Sequence, residues 1–125
     1  MRAWLRAELR RLASTCIWSW NGWQAAWTSE KSLRQWTLAN ILSAVAAFAL
    51  PLAPAERALI LALGLLLLAA ELANTAIEAV VDFVTDESHP LAGKAKDCGS
   101  AMVAVTAIAA GVAWLVLIWG LVRGG

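Results

Sequence analysis

Glu71, Asn74, Glu78 and Asp82 recur at steps of three and four in the stretch ELANTAIEAVVD, directly behind the aliphatic run LILALGLLLLAA. On a helix turning about 100° per residue they share a sector of roughly 80°, one polar stripe on a helix otherwise made for hydrocarbon. With a rise of about 1.5 Å per residue, Glu71 lies on the order of 10 Å deeper along that helix than Glu78, and about 16 Å deeper than Asp82. A carboxylate so far into an apolar segment costs free energy, which makes it a functional candidate by default, and Glu71 is a candidate general base. Glu78, nearer the polar end, suits a hard cation such as Mg2+, which takes one or two protein carboxylates together with phosphate oxygens and water.

A second acid for such a cation is Glu30, in TSEKSLRQW. The other reading of Glu30 is a charge at a helix terminus, balanced by Lys31 or Arg34. Downstream, the segment ESHPLAGKAKD carries Glu87, His89, Lys94, Lys96 and Asp97. This mixture of donors and acceptors could hold a nucleotide, or it could be a solvated loop in which a lone histidine is inert. Ser100 follows Lys96 by one turn and could meet either a headgroup or a neighbouring helix. The GxxxxGK[ST] spacing of a phosphate loop is missing, as is any glycine-rich kinase loop.

The chain that must position these residues has 125 of them, 61% hydrophobic and only 15% charged, where soluble domains carry about a quarter charged residues. A soluble core of this length could not hide that much apolar surface, so we expect one integral membrane domain, all-α, over residues 1–125. A net charge of +1 without a dense basic block gives no footprint for nucleic acid. Cys16 and Cys98 are far apart in sequence and form no CxxC pair, which argues against a zinc or thioredoxin-like site.

Leu5, Leu9, Leu12, Cys16, Trp20, Trp23 and Trp27 fall on one side of a helix, predicting an amphipathic surface helix over about 2–28 with its indoles at the headgroup level. Glu8, Arg10 and Arg11 interrupt the apolar core that a signal peptide needs, so no cleaved signal is expected. Three spans follow, at 34–51, 56–81 and 98–122, with a polar loop at 82–97. Pro51 and Pro54 separate the first two spans, and Trp114 and Trp119 are expected as interfacial anchors of the third. Eight of the ten basic residues lie on one side, against Arg57 and Arg123 on the other. The positive-inside rule then puts the N-terminus and the 82–97 loop in the cytoplasm.

Together, NGWQAAWTSEKSLRQ, ELANTAIEAVVD and HPLAGKAKDCGSA resemble the small prokaryotic diacylglycerol kinase family of integral membrane lipid kinases. The resemblance implies a surface helix plus three transmembrane helices, a homotrimer with active sites shared between subunits, and a place in the bacterial inner membrane. It implies transfer of the γ-phosphate of ATP, with Mg2+, to diacylglycerol, giving phosphatidic acid. By the same resemblance Glu71 is the catalytic base with Asn74 beside it, and Glu30 and Glu78 hold the metal of the nucleotide. Arg11, Glu87, His89, Lys96 and Asp97 would contact ATP, while Arg11, Glu71 and Ser100 would meet the lipid. Trp18 stands where close relatives carry a tyrosine, so a phenol contact to the nucleotide is lost or replaced by stacking, and Trp36 stands where an acid is familiar. HPLAGKAKD also resembles the related undecaprenol kinases, leaving undecaprenol as the alternative acceptor. An ion or proton transporter is a more distant alternative, but it would spread acids across the membrane depth, and the outer halves of the spans hold only the boundary Glu56.

Overall fold

A computed structural model describes residues 1–85 and 87–124, apart from the side chains of Arg2 and Ala3. The described residues form four helices, α1 (Arg2–Ser29), α2 (Lys31–Ala49), α3 (Pro54–Val84) and α4 (Pro90–Val122), and no strand. The all-helical class expected from the sequence is what the chain adopts.

Each helix boundary has a local cause. Glu30 takes an extended conformation, φ −100° and ψ 113°, which separates α1 from α2. Across this break the Arg34 guanidinium donates to the carbonyls of Trp27 at 2.5 Å and Thr28 at 3.4 Å, occupying carbonyls that the end of α1 leaves free. Proline cannot donate a backbone hydrogen bond, so Pro51 ends any continuation of α2, whereas Pro54 fits the first turn of α3. Glu56 accepts from the Ala53 N–H at 2.7 Å and so closes the start of α3. Pro90 opens α4, and His89 caps it, with Nδ1 accepting from the Leu91 N–H at 3.1 Å. Because of this cap, Lys94, Lys96 and Asp97 stand on the first two turns of a helix. The break between α3 and α4 is accordingly shorter than the 82–97 segment expected to be a loop.

Helix α3 is the centre of the fold, packing along α4 and along α2, while α1 touches α2 and α3. Two small apolar clusters mark the contacts. Leu67 and Ala70 of α3 meet Val103 of α4, with Trp36 packed against them; Ala47, Leu52 and Ile60 form the other, covered in part by Trp114 and Leu117. Trp36, a departure from the resembled pattern, is therefore a packing residue here. Arg57 binds the two ends of the α2–α3 turn, donating to the carbonyls of Ala47 at 2.9 Å and Leu52 at 3.3 Å and lying 5.0 Å from the centre of the Phe48 ring. Trp114, expected as an interfacial anchor, is half-buried instead, and its indole N–H donates to the Ser43 hydroxyl of α2 at 2.8 Å.

Most of the apolar surface faces outward. Leu38, Leu42 and Val45 of α2 are exposed, as are Val105, Ile108 and Leu115 of α4, a distribution that suits a lipid solvent rather than water. Helices α3 and α4 each contain a stretch long and apolar enough to cross a membrane. Helix α2, expected as the first span, is not among them. Its first two turns hold Lys31, Ser32, Arg34, Gln35 and Thr37, which lower the mean hydropathy of this 19-residue helix.

Candidate active site

Glu71 is 4% exposed and is the buried charged side chain among the described residues. It is held there because α3 turns its polar stripe toward its neighbours, where a partner exists. The Ser32 hydroxyl, in the first turn of α2, donates to Glu71 Oε2 at 3.2 Å. Ser32 was not singled out by the sequence, whose only sign of it is its place in the polar segment TSEKS.

One turn on, Asn74 donates through Nδ2 to Glu78 Oε1 at 3.0 Å, which fixes one oxygen of the shallower carboxylate. The opposite end of the same amide, Asn74 Oδ1, is buried without a hydrogen-bond partner in the described structure. It rests against Gly99 of α4, where any Cβ would collide with it. Gly99 thus leaves room for the Asn74 carbonyl oxygen on the side away from Glu78. This buried glycine lies in the DCGSA stretch, and like Ser32 it carried no sign in the sequence of the contact it makes.

Further out, Lys96 of α4 bonds Asp82 of α3 at 2.6 Å, joining the fourth member of the acidic stripe to the first turns of the opposite helix. The hydrogen bond that Lys96 donates to Asp82 raises the Lys96 pKa above its usual value, desolvation opposes the rise, and the charges of Asp82 and Glu78 add to it. Around this pair opens a cavity of about 550 Å³, lined among others by Asp82, Thr85, Glu87, Ser88, His89 and Lys96. Three of the residues expected to contact a nucleotide, Glu87, His89 and Lys96, are gathered there.

The remaining candidates are dispersed in one chain. Asp97 and Ser100 are exposed on α4. Glu30 sits at the α1–α2 break and accepts from Ser29 Oγ at 2.8 Å. Arg11 pairs with Glu8 at 2.8 Å on the exposed part of α1, and Trp18 is exposed on the same helix. No hydrogen bond or ion pair among the described residues links Arg11 or Trp18 to the α3–α4 groups.

As a cation site, the arrangement offers hard oxygen donors. Glu78 presents a half-buried carboxylate whose second oxygen is free of described protein partners, while Glu30 carries its carboxylate at the α1–α2 break. Among the described residues no three His, Cys, Asp or Glu side chains come together. One or two carboxylates fit an ion that brings phosphate oxygens and water with it, as Mg2+ does.

Comparison with known proteins agrees with the geometry. Residues 17–118 match the family model described as prokaryotic diacylglycerol kinase. The chain is 39% identical over 109 residues to the diacylglycerol kinase of Escherichia coli strain K12, covering 87% of this chain and 89% of that protein. It is 43% identical over 114 residues to the diacylglycerol kinase of Pseudomonas aeruginosa, covering 90% and 91%. Against the diacylglycerol kinase of Helicobacter pylori the identity is 35% over 111 residues. With its polar stripe, Gly99 and the α4 cap all inside the matched segment, the chain belongs to the prokaryotic diacylglycerol kinase family.

Proposed function

We propose that this protein transfers the γ-phosphoryl group of ATP to the free hydroxyl of diacylglycerol, forming phosphatidic acid and returning diacylglycerol to phospholipid synthesis. The observation that carries this reading is Glu71, a buried carboxylate on an apolar helix of a chain whose relatives are named for that reaction. A lipid hydroxyl stays below the headgroups while ATP stays in water, so an enzyme joining them needs a deep base and a shallow phosphate site. Helix α3 carries both kinds of group on one face.

In the reaction the hydroxyl proton passes to Glu71 as the lipid oxygen bonds to the γ-phosphorus and the bond to the ADP oxygen breaks. The remaining work is alignment and charge neutralisation. Asn74 holds Glu78 in place, and Glu78 with Glu30 would bind Mg2+, which when bound neutralises phosphate charge. Lys96, Glu87, His89 and Asp97 hold the nucleotide from α4 and its cap, and Ser100 faces the lipid. Arg11 and Trp18 lie far along α1 from these groups, which supports a homotrimer in which the α1 of one subunit reaches the site of another. The exposed apolar surfaces of α2 and α4 supply area for both subunit contact and lipid. Within the bacterial inner membrane we place α2, α3 and α4 as spans, with the N-terminus and His89 cytoplasmic.

The relatives' names favour diacylglycerol over undecaprenol. Offering each lipid with labelled ATP and Mg2+ to the purified protein in mixed micelles is expected to label diacylglycerol preferentially; preferential labelling of undecaprenol overturns the acceptor assignment. A second expectation concerns Gly99→Ala. The new methyl forces the Asn74 amide to turn, breaking its bond to Glu78, while alanine is a better helix former than glycine by about 1 kcal/mol. Melting in micelles should therefore change little, whereas kcat/KM for ATP with Mg2+ falls about tenfold, the worth of one hydrogen bond to a charged group. Unchanged kinetics would remove Asn74 as the support of Glu78.

A further inference from the structure

We infer that Ser32 is a positioning residue for the catalytic carboxylate, its hydroxyl holding Glu71 Oε2 so that Oε1 takes the proton of the acceptor lipid. The inference rests on the reading of Glu71 as the base. Its grounds are geometric. A glutamate has three rotatable side-chain bonds, and a base must be held near one geometry to act in a fast step. Among the described residues Ser32 Oγ is the hydrogen-bond donor to the Glu71 side chain, at 3.2 Å across 39 positions of sequence. Oε1 receives no hydrogen bond from them.

Ser32 is itself well anchored. Leu33 beside it has no exposed surface, and Arg34 is tied to the Trp27 carbonyl at 2.5 Å. The first turn of α2 is thus fixed independently of Glu71, and the hydroxyl is offered to the carboxylate from a rigid support. During transfer Ser32 keeps its proton: the lipid O–H gives its proton to Oε1, the lipid oxygen bonds to the γ-phosphorus, and the bond to ADP breaks. The serine is therefore neither acid nor base. Its effect is to remove carboxylate rotamers that point Oε1 away from the acceptor.

The test is a mutant cycle on the full chain in mixed micelles with diacylglycerol, ATP and Mg2+. Ser32→Ala is expected to lower kcat about tenfold, with KM for both substrates within about twofold of the parent. Ser32→Thr, which restores a hydroxyl, should recover most of kcat. In the Glu71→Gln background Ser32→Ala should cause no further loss, because its effect passes through the carboxylate. An unchanged kcat in Ser32→Ala, a loss confined to KM, or an added loss in the Glu71→Gln background would each overturn the positioning role. If Ser32→Ala melts at lower temperature than the parent, Ser32→Cys keeps the volume with a weak donor and decides by the same kcat criterion. Normal turnover of Glu71→Gln alone would instead overturn the base assignment, an outcome distinct from failure of Ser32.

Discussion

Replacing Glu71 with glutamine is expected to lower kcat by about 10³-fold while leaving the binding of ATP with Mg2+ within about twofold of the parent, since general-base contributions run from roughly 10² to 10⁴. The substitution keeps the volume and keeps an amide oxygen able to accept the Ser32 bond, so the buried position does not collapse. It removes only the capacity to take a proton. A neutral glutamine is also cheaper to bury than a carboxylate, so the variant should melt at or above the parent temperature in micelles. Single-turnover kinetics with preformed nucleotide complex separate chemistry from binding. A variant that turns over normally would mean that the lipid hydroxyl loses its proton elsewhere.

Glu78→Gln should act on the other substrate. Glu78 Oε1 accepts from Asn74, and a glutamine carbonyl can accept the same bond, which preserves the α3 surface. What is lost is the charge for a hard cation and its phosphates. Losing even an outer-shell partner costs a metal site roughly 10- to 100-fold, so kcat/KM for ATP should fall by about 100-fold and the required Mg2+ concentration should rise. The KM for diacylglycerol should stay near its parent value. An unchanged Mg2+ dependence would exclude Glu78 as a ligand. The contrast expected between the two variants follows from depth: the proposed mechanism assigns the buried acid to the lipid and the half-buried acid to the nucleotide.

The acidic stripe was legible because a 3.6-residue period is a property of local sequence, and carboxylates stand out against an aliphatic run. The break at Pro51 and Pro54 between the first two spans was legible for the same reason, as the ring removes a donor wherever it falls. The connection after α3 was harder. Lys94, Lys96 and Asp97 look like solvated loop residues by composition, but the His89 cap and Pro90 start a helix before them.

Chain composition and periodicity by themselves determined that this is a helical membrane protein with an acid stripe on its central helix, since both follow from water's aversion to hydrocarbon and the pitch of the helix. The tertiary structure alone decided that Glu71 meets Ser32 and that Asp82 meets Lys96. It also decided that Gly99 sets the Asn74 amide and that Trp114 bonds Ser43 rather than standing free as an anchor. These pairings join residues 14 to 71 positions apart, or depend on the approach of one helix to another. Helix packing chooses such distances, and no local pattern in one sequence encodes them.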